Sequence, residues 1–213
     1  MQSSSLILAF DTSAAHCAAA LLRGDQILVQ SQEEMAKGQA ERLMPLLEET
    51  LSAADATWAD LDALAVGIGP GNFTGIRISV SAARGLALGL DVPAIGVSAL
   101  EALAAGQAGP TVASLDARRD HLYVQGASAP QFCTLDSLPA LPQGATCIGH
   151  LAADLAQRCC GTPAEPRYSV AEAIARIAAT RLDQPDLPAP APLYLREADA
   201  APARDLPPAL LDD

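Results

Sequence analysis

Apolar and polar positions along the first hundred residues follow two periods, and the switches between them give the order of elements. Leu6 to Phe10 is an unbroken apolar run that predicts a buried strand ending in Asp11-Thr12-Ser13. Cys17 to Leu22 predicts a second strand, Arg23 to Asp25 a turn and Ile27 to Gln30 a third strand, a meander whose first two strands join at Asp11-Thr12-Ser13. From Ala40 to Ala54, Leu43, Leu47, Leu51 and Ala54 share one helix face, with Met44 and Leu46 off that stripe. Pro45 removes a backbone donor inside this pattern, which predicts a kink or a late start. Leu61 to Ile68 reads as another buried strand. Ile76, Val80, Ala83, Ala87 and Leu90 then recur at spacings of four and three, predicting a helix over 75–90. Pro93 to Val97 gives a strand, and Ser98 caps a short helix through about Ala105. The order βββαβαβα fits a mixed sheet with helices on its faces, an α/β fold.

The pattern then partly restarts. Thr111 to Asp116 and His121 to Gln125 read as strands joined at Asp-Ala-Arg-Arg-Asp, again with an aspartate ending the first. Gly106 to Pro110 is the predicted boundary, giving an amino-terminal lobe over 1–106 and a thinner lobe over 107–213. The second lobe holds a weak strand at Thr146 to Ile148 and helices near Leu151 to Cys160 and Val170 to Leu182. It closes with an extended linker at Gln184 to Pro192, a short ordered segment and an acidic tail expected to fray.

Val66 to Arg77 packs Gly67, Gly69, Gly71, Gly75 and Pro70 between a strand and a helix start, with Thr74 as the expected N-cap. A strand, a glycine turn and a capped helix start can cradle an anion, because unpaired N–H groups point outward there. The glycines can equally serve backbone geometry alone. The loop matches neither GxxxxGK[ST] nor GxGxxG, and both readings stay open.

Composition narrows the functions. Half of the 213 residues are apolar and only 3% aromatic, so Ala, Leu and Val must fill the core. The formal charge is −12, with Lys37 the single lysine, which opposes unaided binding to a nucleic-acid backbone. Five cysteines form no CxxC, and their odd number predicts reduced intracellular thiols. With no basic n-region and no long apolar run, a soluble cytoplasmic protein without membrane contact is expected.

FDTS at 10–13, AERLMP at 40–45, VGIGPGNFTGIRISVSAARGLALGL at 66–90, PAIGVSALEAL at 93–103, LDARRDHLYV at 115–124 and PLYLRE at 192–197 occur in order. Together they resemble the TsaB (YeaZ) family, which serves threonylcarbamoyladenosine modification of tRNA. The resemblance covers roughly residues 5–200 and is strongest over the first hundred. It implies the actin/Hsp70/sugar-kinase (RNase H-like) fold, two related lobes around a cleft. Gln39 stands where relatives commonly carry histidine, so no chemistry is assigned there, and Asn72 replaces a commoner serine. The catalytic paralogue, TsaD, binds metal through two histidines four apart, and the matching positions here are Ala99 and Leu103. TsaD also uses late glycine turns for its nucleotide, whereas the last glycine here is Gly161. The resemblance therefore implies a non-catalytic subunit with no metal and no cofactor.

Asp11, Thr12 and Ser13, with Gly69, Gly71 and Thr74, resemble a vestigial phosphate turn of actin-fold ATPases. The competing and favoured reading of Asp11 to Ser13 is a hairpin whose side chains bond their own backbone. His16, His121 and His150 are isolated and expected to be structural, Cys159 and Cys160 simply buried, and Arg118 and Arg119 engaged in salt bridges. Ser81, Gly85 and Gly89 lie opposite the apolar stripe of the 75–90 helix, where small residues admit a partner helix at a cost of about 1 kcal/mol per glycine. With Leu43, Met44, Leu46 and Leu47 they form the expected partner interface. The resemblance implies that this surface packs on a TsaD-type transferase, to which a TsaE-type ATPase is recruited, or on a second copy in a resting homodimer, with tRNA contacted only indirectly. The alternative is a free-standing actin-fold ATPase or kinase, a metalloprotease-like enzyme or a nucleotide-binding regulator.

Overall fold

Near-continuous apolar strands belong in the middle of a sheet covered on both faces, and two such strands anchor the first lobe. The computed structural model describes residues 5–196. The first sheet is built from β1 (Leu6–Asp11), β2 (His16–Arg23), β3 (Gln26–Glu34), β4 (Ala63–Gly67) and β5 (Ala94–Val97), in the order β3-β2-β1-β4-β5. Every residue of β1 and β4 is buried, and the two run parallel at the centre. β3 extends four residues past the predicted Gln30 because Ser31 to Glu34 keep pairing with β2, up to His16 opposite Glu34. Their polar character suits an edge strand.

The alternation of β1 sends its side chains to two layers. Leu6, Leu8 and Phe10 pack under α1 (Gln39–Ser52) and α2 (Phe73–Leu90), with Leu43, Leu47, Ile76 and Val80. Ile7 and Ala9 face the opposite layer. There α3 (Ala99–Ala104) and α5 (Val170–Arg181) cover the sheet through Ala102, Ala173, Ile174 and Ala178. The alanines on both sides let α5 lie close. α1 begins at Gln39 and runs through Pro45, so the expected late start does not occur. Ser98 caps α3 as predicted, its hydroxyl accepting from the Leu100 N–H at 3.2 Å while Glu101 closes a capping box.

The second sheet contains β6 (Thr111–Arg118), β7 (His121–Gln125), β8 (Gln131–Thr134), β9 (Thr146–Gly149) and β10 (Thr162–Ala164). Read from its β8 edge, its order is β8-β7-β6-β9-β10, the same arrangement as the first sheet. In both, two antiparallel pairings lead to a central strand followed by two parallel ones. The restart read near Thr111 is therefore a repeated topology. The repeat is shortened: only a single 3-10 turn (Leu135–Ser137) stands between β8 and β9, and α4 (Ala152–Arg158) covers the sheet with its Leu155 in one cluster with Val112 and Cys147. β8 and β10 were not legible, being short and partly polar.

α5 comes from the second half of the chain but packs on the first sheet. The final described segment then runs back over the first lobe. Pro190 lies against Gly96, and the Leu193 N–H donates to the Ile68 carbonyl at 2.8 Å. Leu195 ends between the lobes, in one cluster with Leu100 of the first and Tyr123 of the second. The reading of 184–192 as extended chain holds only from Leu187 onward, since residues 185–186 form a turn with Asp186 at a φ of 58°, whereas Glu197 and the acidic tail lie outside the described residues.

Candidate functional site

A cleft of about 1110 Å³ opens between the lobes, lined by the β1–β2 turn, the glycine loop, α3, the β6–β7 hairpin and the 193–196 segment. Its inner wall is set by Asp11, which is 1% exposed. One carboxylate oxygen, Oδ1, accepts from the Ser13 N–H at 3.0 Å and the Ser13 hydroxyl at 2.9 Å. This is the favoured side-chain-to-backbone hairpin geometry. The same oxygen lies 2.7 Å from His16 Nε2. His16 is therefore paired with a carboxylate five residues earlier, contrary to the reading of an isolated histidine. Burial opposes its charging, but the hydrogen bond and charge of Asp11, with the charge of Glu34, outweigh burial and raise its pKa. Asp11 Oδ2 has no hydrogen-bond partner among the described residues and lies against Gly67, where an added Cβ would fall 1.8 Å away.

Gln39, given no role from the sequence, is a tether. Its amide donates to the carbonyls of Ala14 at 2.6 Å and His16 at 2.7 Å, with a longer bond to Thr12 at 3.3 Å. These bonds satisfy carbonyls of a buried turn from the start of α1. Nothing in the local sequence marks it, since the partners lie at least 23 residues away.

The glycine loop meets this turn face to face. An added Cβ at Gly71 would fall 2.3 Å from the Ser13 carbonyl oxygen, and one at Gly75 would fall 1.9 Å from the Thr12 carbonyl oxygen. The Asn72 N–H donates to Ser13 O at 2.6 Å, and the Thr12 hydroxyl donates to Gly75 O at 2.7 Å. The N-cap of α2 is Asn72, not Thr74: its Oδ1 accepts from the Gly75 N–H at 2.9 Å, and Thr74 is exposed inside the first turn. Gly69 holds a φ of 87° and its carbonyl accepts from the Ala99 N–H at 2.8 Å. The chain's own Thr12 and Ser13 carbonyls fill the space beside Gly71 and Gly75, and Ser13 O takes up the Asn72 N–H at the start of the helix, where an anion would otherwise be met. Ala99 and Leu103 present only carbon to the cleft.

At the outer lip, Phe73 stacks on Tyr194 with ring centroids 4.9 Å apart, and the Arg77 guanidinium lies 4.0 Å over the Phe73 ring. Arg77 Nε also donates to the Tyr194 hydroxyl at 2.9 Å. Arg118 lines the cleft, and neither it nor Arg119 forms an ion pair within 4.0 Å among the described residues. Cys159 is buried 3.6 Å from Cys147, whereas Cys160 is exposed.

The expected partner surface divides. Ser81, Gly85 and Gly89 are exposed, and an added Cβ at either glycine meets nothing within 4 Å. Met44 is 37% exposed. Leu43, Leu46 and Leu47 are corrected: all three are at most 1% exposed and belong to the chain's own core. With Leu51 they occupy i, i+3, i+4 and i+8, a core stripe broad enough to include the Leu46 that simple four-residue spacing leaves out.

Two sheets of identical strand order, divided by a cleft, define a two-lobed α/β protein of the actin-like class. Component A of (R)-2-hydroxyglutaryl-CoA dehydratase from Acidaminococcus fermentans shares this fold, with a TM-score of 0.51 at 11% identity over 84% of this chain and 99% of that one. Residues 27–137 match the family model described as "TsaD: tRNA N6-adenosine threonylcarbamoyltransferase". The chain is 40% identical over 123 residues to the tRNA threonylcarbamoyladenosine biosynthesis protein TsaB of Haemophilus influenzae, covering 55% of this chain and 51% of that protein. It is 34% identical over 210 residues to an uncharacterized protein of Mycobacterium bovis, covering 93% and 95%. The structure of YeaZ from Pseudomonas aeruginosa has a TM-score of 0.72 at 26% identity over 90% of this chain and 100% of that chain. The chain belongs to the TsaB/YeaZ family. It spans about half the length of the TsaB relatives it matches.

Proposed function

We propose that this chain serves threonylcarbamoyladenosine formation on tRNA as a non-catalytic scaffold. It docks to a TsaD-type transferase and activates it, rests as a homodimer when alone, and works in the cytoplasm. The observation that carries this reading is the glycine loop, whose close approaches are taken up by the chain's own Thr12 and Ser13 carbonyls. A site stabilised in that way acts as a rigid support. The loop sets the start of α2, and α2 carries the exposed Ser81, Gly85 and Gly89 outward. The names of the TsaB relatives supply the pathway. The TsaE-type ATPase joins the assembled complex, and tRNA is contacted mainly by the transferase, since a chain of charge −12 repels a polyanion. We place the lobe boundary at 106/107, between α3 and β6, and assign the amino-terminal lobe the docking role.

The test is size-exclusion chromatography with light scattering, on this chain alone and mixed with its cognate transferase, alongside measurement of tRNA modification. Co-elution with restored modification is the expected result, and Gly85→Leu abolishes both while the variant still folds. A chain that hydrolyses ATP by itself, or a Gly85→Leu variant that still binds and activates, overturns the reading.

A further inference from the structure

The buried core of the second lobe is built in part from thiols: Cys133, Cys147 and Cys159 share one cluster with Val112, Leu122, Val124 and Leu155. Two of these thiols touch. The sulfurs of Cys147 and Cys159 are 3.6 Å apart, and both residues are fully buried. They come from different elements. Cys147 lies on β9, paired with β6 on one side and β10 on the other. Cys159 follows Leu155 by four residues and carries the buried face of α4 to the helix end. That end is shaped around the sulfur. The Gly161 N–H donates to the Ala156 carbonyl at 2.8 Å, and Cys160 takes a φ of 51°, a helix closure whose left-handed position is ordinarily glycine. An added Cβ at Gly161 would fall 3.0 Å from Cys159 Sγ. The Cys159 carbonyl accepts from the Gly144 N–H at 2.7 Å, which holds its main chain in place.

A thiol packs as a small apolar group, and for packing alone any small apolar pair serves as well. Sulfur at both touching positions adds the capacity to bond. A disulfide needs a separation of about 2.05 Å, an approach of about 1.5 Å that side-chain rotation supplies. We propose that Cys147 and Cys159 are a reversible oxidation site, which hydrogen peroxide closes to a disulfide tying the end of α4 to β9. Burial and the contact with Cys159 push the Cys147 thiol up to about 12, so the first step falls to Cys159 when the last turn of α4 opens. The Cys159 sulfur attacks one peroxide oxygen and the O–O bond breaks. The other oxygen leaves with the thiol proton as water, and Cys159 becomes a sulfenic acid. On reclosing, the Cys147 sulfur attacks the Cys159 sulfur, the S–O bond breaks, and the hydroxyl departs with the Cys147 proton as a second water. The two thiols together lose two electrons, and one peroxide is reduced to two waters.

The full chain carrying Cys160→Ser tests it, because that change removes the exposed thiol that would meet peroxide first and join molecules. Cys17, Cys133, Cys147 and Cys159 remain. About 1 mM hydrogen peroxide for about an hour is expected to consume two thiols, and dithiothreitol to return both. Trypsin cuts after Arg158, so a non-reduced digest then joins peptide 159–167 to peptide 120–158, and fragmentation places the bond at Cys147 rather than Cys133. Hydrogen exchange of α4 slows about tenfold or more in the oxidised chain. Cys147→Ala and Cys159→Ala, each checked for unchanged circular dichroism, abolish both the linked peptide and the slowing. Thiols that all survive the peroxide, or Cys159 carried to a sulfinic acid without a link, overturn the site. A link to Cys133, or one that forms only in denaturant, overturns it as well, since the folded contact is then not the reacting pair. A Cys147–Cys159 link with unchanged α4 exchange overturns the tie between α4 and β9.

Discussion

Held 2.7 Å from the buried Asp11 carboxylate, the His16 ring gains more from charge than burial takes away, and its pKa rises above the ordinary 6.5. A raised folded-state pKa contributes stability that is complete below the unfolded value and disappears as pH rises through the folded one. His16→Gln is therefore expected to lower Tm most at about pH 6, and the gap to the parent shrinks as pH rises toward about 9. Melts followed by circular dichroism across that range check this, and a gap that widens with pH contradicts the pairing. Two glycines give the second residue-scale contrast. Gly75→Ala forces a Cβ against the Thr12 carbonyl, backbone against backbone, so neither side can rotate away. It should destabilise by about 3 kcal/mol or prevent folding. Gly85→Ala adds a methyl in open space within a helix and should stabilise by about 1 kcal/mol. Urea unfolding of the two variants separates them, and equal effects would mean the loop does not grip the turn.

At the scale of elements, α2 joins three of the molecule's features. Its start is fixed by the Asp11–Ser13 turn, its inner stripe enters the core through Ile76, Val80 and Ala83, and its first two turns hold the 190–196 segment through Phe73 and Arg77. Tyr194→Ala removes the ring stack and the bond to Arg77, and aromatic pairs of this kind contribute about 0.5–1.5 kcal/mol beyond burial. The expected result is a modest fall in Tm with faster hydrogen exchange confined to residues around Pro190 to Leu195; unchanged exchange there would show that Leu193 and Leu195 hold the segment unaided. Much of this was legible in the sequence. The strands β1, β2 and β4 are apolar runs, the core stripe of α2 repeats at helical spacing, and Ser98 announces its cap. The rest was not legible for physical reasons. Asn72 displaced Thr74 as cap because the loop's path, not its composition, decides which oxygen reaches the Gly75 N–H. Leu46 looked available because a broad core stripe adds an i+3 position. Gln39, His16 and the Arg77–Tyr194 bond depend on partners brought together by the fold, the last 117 residues apart.

Across the whole molecule, the duplicated strand order and the division at Gly106 to Pro110 invite a view of two self-sufficient lobes, but the packing of the first sheet contradicts self-sufficiency. One face is closed by α1 and α2 from within residues 1–106, while the other is covered largely by α5, from Val170–Arg181. Ile7, Ala9, Ala63, Ala65 and Val97 lie in one apolar cluster with Ala173, Ile174, Ala175 and Ala178. The short α3 contributes only Ala102 to the buried part of that cluster. Without α5, a contiguous apolar sheet face meets water, and burying side chains of this size contributes about 25 cal/mol per Å². A fragment of residues 1–106 is thus expected to lack a cooperative melt, to bind a hydrophobic dye and to associate through the bare face. Adding a peptide of residues 166–196 should restore a cooperative transition, because it returns α5 together with the segment that crosses Gly96 and Ile68. Circular dichroism melts and dye fluorescence on the fragment, with and without the peptide, decide the matter. A fragment that melts cooperatively on its own would place the stability of the first lobe in the α1–α2 layer, and α5 would then serve to fix the second lobe against a domain already formed.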